Sequence, residues 1–236
     1  MSDSAGEAAV PQPAARDYGV YRDPTALTNG LKVMLAVSVL LGMAALISGS
    51  MEMNLLQDLA DRVVPQDEIG TRADASDSRQ QLIGFAQIGW FILTGIIFLT
   101  WVYHANRNAR ALGATDMQCT PGWAVGWYFV PFVNLWKPYQ AMREIWQASV
   151  SAGDWKSVPS SSLLGWWWAL YIGSAMLNRA AVQFAKRIDG VDGAITASWI
   201  HDAAVTAGIS LDVVALIMVG KITANQISQF KLAEVF

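Results

Sequence analysis

The sequence predicts an all-α integral membrane protein with four transmembrane helices, or five if its central segment crosses fully. Two observations carry this. Of 236 residues, 53% are hydrophobic and only 15% are charged. The charge is also unevenly spread: residues 33–51, 82–103 and 157–178 carry none, and 203–220 carries only Asp212. Each run is near the ~20 apolar residues that cross a hydrocarbon core about 30 Å thick, and soluble buried helices seldom run so long without a charge.

The same composition excludes other classes. Net charge is −3, and the basic residues form no contiguous patch with interleaved aromatics, so nucleic acid is not an expected partner. Eleven Trp fit bilayer interfaces instead. A lone Cys119 forbids an intrachain disulfide and any multi-thiolate metal site, and reads as a small packed residue near a helix start.

Along the chain, residues 1–26 hold Ser, Ala, Gly and three Pro without apolar periodicity and read as a disordered cytoplasmic tail. A membrane domain follows over 27–224. Its first span, 31–51, is preceded by Arg16, Arg22 and Lys32 in the manner of an uncleaved signal-anchor. It carries Ser38, Gly42, Ala45 and Gly49 on one helical face, and small faces let helix backbones approach closely in lipid. Residues 52–81 are expected as an acidic outer loop. It opens on an amphipathic stretch of Met53, Leu56, Leu59 and Val63 against Glu52, Asp58 and Asp61, closed by Pro65.

The second span, 82–103, ends in Trp101 and Tyr103 followed by His104, Arg107 and Arg110, the order of aromatic belt and basic flank. A third span, 161–178, spaces Gly165, Ala169 and Gly173 by four, predicting a close helix contact. Its Trp166, Trp167 and Trp168 point three ways around the helix, about 100° apart. The last span, 203–220, puts Ala204, Gly208, Asp212 and Ala215 on one face, and 225–236 is expected to be a short tail.

Between the second and third spans lies the most distinctive text, "PGWAVGWYFVPFVNLWKPYQAMREIW" from Pro121 to Trp146. Its apolar part is too short for a comfortable span, and Pro131 removes a backbone donor within it. Residues 121–136 therefore read as a re-entrant or kinked segment, since freed backbone groups at membrane depth must be satisfied by protein or water. Residues 137–149 follow as an interfacial amphipathic helix, with Tyr139, Met142, Ile145 and Trp146 on one side and Gln140, Arg143, Glu144 and Gln147 on the other. This run closely resembles the hallmark of a bacterial membrane family known as domain of unknown function 4328. The resemblance extends over roughly residues 30–220 and implies an architecture, two spans before the hallmark and two after. It implies no activity, cofactor or catalytic residue.

Orientation follows from Lys and Arg, which favour the cytoplasmic side. With four spans and a cytoplasmic N-terminus, ten basic residues fall inside and six outside; with five spans the count is eight against eight. Four spans, both termini in the cytoplasm and a bacterial inner-membrane location are the expectation.

No phosphate loop, zinc-protease helix, paired-Cys motif or nucleophile elbow occurs, and His104 and His201 are too few for a usual His-rich metal centre. Neither catalysis nor a metal or cofactor is expected. The pair His201–Asp202 reads as a cap at the start of the last span. The candidate site gathers Asp212, Asn134, Pro131, Trp127, Trp136, Lys137 and Pro138. A mid-span Asp is costly and should seek donors, with the indoles of Trp167 or Trp127 or the backbone around Pro131 as candidates. Asn134 reads as a partner for the broken backbone. Two functions remain open: a non-catalytic membrane module binding a protein or lipid, with the bilayer, a membrane protein or a second copy as partner; or a small-solute or proton-coupled transporter or channel-like component using the broken segment and Asp212.

Overall fold

A computed structural model describes residues 20–61, 63–65, 67–187 and 190–235. All of its regular elements are helical: α1 (Thr25–Ala60), α2 (Ile69–Ala111), a short α3 (Pro121–Gly126), α4 (Lys137–Val150), α5 (Ser162–Arg187) and α6 (Val191–Val235), with 3₁₀ turns between. Three of these, α1, α2 and α6, are long and apolar enough to cross a membrane. The Trp cluster of α5 makes that helix less apolar, because each indole carries a polar N–H.

Sequence signals mark the helix boundaries. The Asp23 carboxylate accepts the Thr25 N–H at 2.9 Å and opens α1. At the end of α2, Gly113 takes φ +105 and the Ala114 N–H reaches back to the Ala109 carbonyl at 3.1 Å. That closure needs a left-handed residue, which Gly supplies without a Cβ clash. Thr120 caps α3, accepting the Trp123 N–H, and Pro121 occupies the first turn, where its missing donor costs nothing.

The four long helices run antiparallel in chain order, with α6 packed along both α1 and α5, and α1 along α2. Hydrogen bonds fix the register. Thr28 near the start of α1 meets Thr223 late in α6 at 2.8 Å, and both face the Trp101 indole of α2. At the opposite end Arg79 donates to Ser48, and Gln80 donates to Glu52. We call the end holding the start of α1 and the end of α6 the near end. There Tyr21 stacks on Phe230, ring centroids 4.3 Å apart.

Several sequence boundaries are corrected. The expected outer loop over 52–81 is largely helical, because α1 continues to Ala60 and α2 begins at Ile69. Polar residues in water do not break a helix whose i→i−4 bonds continue, and Arg72 pairs with Glu68 one turn away at 2.7 Å. The amphipathic stretch after Met51 thus rises as a continuation of α1, with Met53 buried. The expected tail over 225–236 is the end of α6, held by Gln226 and Gln229. Of the expected disordered tail, residues 1–19 lie outside the described residues, while Thr25 already belongs to α1.

Helix contacts divide the two small-residue stripes. A Cβ at Gly42 would stand 2.6 Å from Ile209, and one at Gly49 would stand 2.6 Å from the Asp202 carboxylate, so α1 meets α6 at near-backbone distance. Gly165 and Gly173 have nothing within 4 Å. The α5 stripe faces outward because α5 turns Leu164 and Trp167, both buried, toward its neighbours. The best-buried core is at the near end: Leu31, Val102, Met142, Ile145, Met218 and Ile222 are all fully covered.

Candidate functional site

The broken segment is built at the near end from two tight turns. Trp127–Phe129 and Val133–Leu135 form single 3₁₀ turns around Pro131. Between them Phe132 takes φ 63, ψ −46, and the Val133 N–H donates to the Pro131 carbonyl at 2.7 Å. This is a γ-turn of the strained hand, rare for any residue and unfavourable for a bulky one. The Asn134 N–H reaches the Val130 carbonyl at 3.0 Å, and the Leu135 carbonyl accepts the Trp168 indole N–H of α5 at 3.0 Å. The freed backbone is thus satisfied by its own turns and one indole. The Asn134 side chain, assigned that task from the sequence, makes no hydrogen bond among the described residues.

Aromatic packing orders the segment's inner side. Trp127 stacks on Trp123 at 4.5 Å, and Lys137 places its ammonium 5.9 Å from the Trp127 ring. Phe98 of α2 meets Tyr128 edge-on at 6.2 Å and Trp167 of α5 at 6.1 Å. The outer side is bare: Phe129 and Phe132 are 71% and 78% exposed, beside half-exposed Trp123, Leu135 and Trp136. Pro131 is exposed with them, while Pro138 is buried in the first turn of α4. Pinned on one side, the segment presents an apolar lip on the other.

The helix α4 agrees with the expected boundaries within a residue, but its apolar face does not stand free. Ala141, Met142, Ile145 and Ala148 are buried, and α4 packs against α2 and α6. Glu144, expected on the polar side, is buried as well. Its carboxylate accepts the Cys119 N–H at 3.0 Å. The Cys119 carbonyl accepts from Asn106 and from Arg110, both at 3.0 Å, and Arg110 also donates to Asn106. The connection from α2 to α3 is therefore clamped by three polar side chains. Burial pushes the Glu144 carboxyl above its ordinary range, opposed by the N–H groups it accepts and by Arg110 and Arg143. Burial, then the Glu144 carboxylate, pushes the Cys119 thiol up to about 11, so the thiol is inert at neutral pH. Nothing in the spacing of Asn106, Arg110, Cys119 and Glu144 announces this cluster, since it forms only when α4 folds back on α2.

A second buried layer joins α4 to α6. Gln226 donates to the Ala105 carbonyl at 2.8 Å and to Ser149 at 3.1 Å. Gln229 donates to the carbonyls of Ala148 and Ser149 and accepts the Ala152 N–H.

Asp212 lies apart from the lip. It is half-buried in the middle of α6, and among the described residues no hydrogen bond or ion pair reaches its carboxylate. Neither indole expected to serve it reaches it: Trp127 stacks on Trp123 beside Lys137, and Trp167 lies among the rings of Phe98, Trp168 and Tyr171. Residues 121–136 pack against α2 and α4 rather than against the middle of α6. His104 sits edge-on to Tyr103, and His201 lines a cleft at the far end. Among the described residues no group of three His, Cys, Asp or Glu is placed to hold a metal.

The model of the family "domain of unknown function (DUF4328)" matches residues 67–224. That is two thirds of the chain. The chain belongs to this family. The match takes in α2, the lip, α4, α5 and most of α6, and leaves α1 outside it. No curated protein and no solved structure matches. The family's description names no activity.

Proposed function

We propose that the chain is a four-span, non-catalytic membrane module of the bacterial inner membrane whose lip docks an apolar partner, either lipid or a membrane-protein helix. The single observation that carries this is the lip itself: five large apolar side chains, Trp123, Phe129, Phe132, Leu135 and Trp136, stand exposed on a segment otherwise clamped into the best-packed end of the molecule. Exposed apolar surface on a rigid support marks an interaction site.

Antiparallel packing supports four crossings, because α2 ends and α5 begins at the near end, with residues 121–136 between them. Aromatic spacing agrees: Trp199, 61% exposed on α6, and Gly220, level with Lys32, are about 30 Å apart along that helix, one hydrocarbon thickness. In this register the lip and Trp166 meet the near headgroup layer. The buried Thr28–Trp101–Thr223 and Glu144 layers lie at or beyond its edge, on the cytoplasmic side by the excess of basic residues.

A photo-crosslinking amino acid at Phe129 or Phe132, activated in cells, tests the docking. Lipid adducts or a discrete crosslinked protein are expected, and their mass tells the two apart. Adducts no more frequent than at exposed Ala75 would overturn the proposal. The unpartnered Asp212 keeps a transport reading in view, since an intramembrane carboxylate marks many ion paths. Solute or proton flux in proteoliposomes, lost in Asp212→Asn, would favour transport over docking.

A further inference from the structure

The seam between α1 and α6 runs from Thr28 and Thr223 at the near end to Gly49 and Asp202 at the far end. A lysine lies across it. Lys32 is the only charged residue of α1 between Thr25 and Met51, and its half-buried side chain reaches α6, with the ammonium 3.1 Å from where a Cβ on Gly220 would stand. Lys221 follows on α6 and is exposed. No acidic residue occurs over 25–51 or 213–233, and among the described residues neither Lys32 nor Lys221 has a hydrogen bond or an ion pair. Asp23, just before α1, is engaged elsewhere: it caps Thr25, and Lys231 is the cation that acts on it.

Both ammonium groups fall where the hydrocarbon ends, because Gly220 is level with the near headgroup layer in the four-crossing placement. From there an apolar furrow leads toward the bilayer centre. Ala36 and Met43 continue the Lys32 stripe of α1 by helical spacing, and Ile217 and Val213 continue the Gly220 stripe of α6. All four are exposed. A single lysine at a helix end can snorkel to water and needs no partner. Two cations of different helices, without an acid on either helix nearby and at the head of an apolar furrow, complement an anion that carries a hydrocarbon tail.

We propose that this place binds an anionic phospholipid of the near leaflet, its phosphodiester between the Lys32 and Lys221 ammonium groups and an acyl chain along the furrow. Lysine suits the task, as a point charge on a flexible stem that can swing onto a phosphate oxygen. A zwitterionic lipid brings its own cation beside the phosphate, and two lysines disfavour it. The site rests on the four-crossing placement, which thiol labelling reads separately, and it does not involve the lip.

Native mass spectrometry of the full chain in detergent tests it, with dioleoylphosphatidylglycerol, dioleoylphosphatidylcholine and inorganic phosphate as probes. The first phosphatidylglycerol is expected to bind about tenfold or more tighter than the first phosphatidylcholine, a preference that two lysines at headgroup level can supply. Lys32→Gln combined with Lys221→Gln should erase the preference, whereas Lys231→Gln should keep it. A melting temperature equal to that of the parent chain shows that each variant folds. Equal affinity for the two lipids in the parent chain would overturn the proposal without any variant. So would a preference that survives in the double variant, or displacement of the lipid by inorganic phosphate beyond that by chloride at matched ionic strength.

Discussion

Phe132 shows how a single residue reports a cost that must be met elsewhere. Its strained γ-turn throws the ring outward, 78% exposed, where burial returns nothing to the fold. Replacing it with Gly removes the steric penalty, so Phe132→Gly should raise the melting temperature in detergent, by roughly 1 kcal/mol of stability, while lowering crosslinking or partner retention at Phe129. A drop in both would mean that the ring stabilises the fold. Glu144 gives the pH dependence. Its native carboxyl is raised above the unfolded value by burial, so the folded chain holds that proton more tightly. The stability it contributes is full below the unfolded carboxylate range and is lost as pH rises through the raised native value. Unfolding midpoints across acid to neutral pH should fall through this window, and Glu144→Gln, which keeps an acceptor for the Cys119 N–H, should flatten the fall. Glu144→Ala should cost about 1–3 kcal/mol at any pH by leaving that N–H unpaired. A pH profile identical in the parent and Glu144→Gln would assign the effect to other groups.

At the scale of elements, the two small-residue stripes should respond oppositely. Gly42 sits against Ile209 with no room for a Cβ, so Gly42→Leu should destabilise by about 1–3 kcal/mol or more. Ala169→Leu faces open surface on α5 and should leave the thermal midpoint of the single chain unchanged within ~0.5 kcal/mol. If Ala169→Leu melts early instead, α5 is covered in the detergent particle, by a second copy or a bound lipid, and its apparent mass will tell which. Both stripes have the same spacing in sequence. Spacing defines a face of a helix, and only the positions of the neighbours decide whether that face is covered.

At the scale of the whole molecule, four antiparallel helices with residues 121–136 at the near end predict that both termini and the α4 region share one side. Cysteines at Gln118 and Gly153, exposed near-end positions, should resist an impermeant thiol reagent in cells with a permeabilised outer membrane, while those at Ala75 and Gly190 should be labelled. Labelling at Gly153 but not at Gln118 would mean that the central segment crosses. The sequence by itself determined that the chain is helical and suited to a membrane, because charge-free runs about twenty residues long have few other stable placements. It also placed the broken segment, since Pro131 must interrupt a helix wherever it falls. The helix ends are not legible in composition, because polar residues at 52–81 say that a segment meets water, not that its backbone leaves the helix. Only the tertiary structure decided that Glu144 is a buried clamp, that Asp212 and Pro131 belong to different places, and that Lys32 lies against Gly220. Each is a meeting of residues from helices distant in the chain, and periodicity along one helix carries no record of which neighbour it will face.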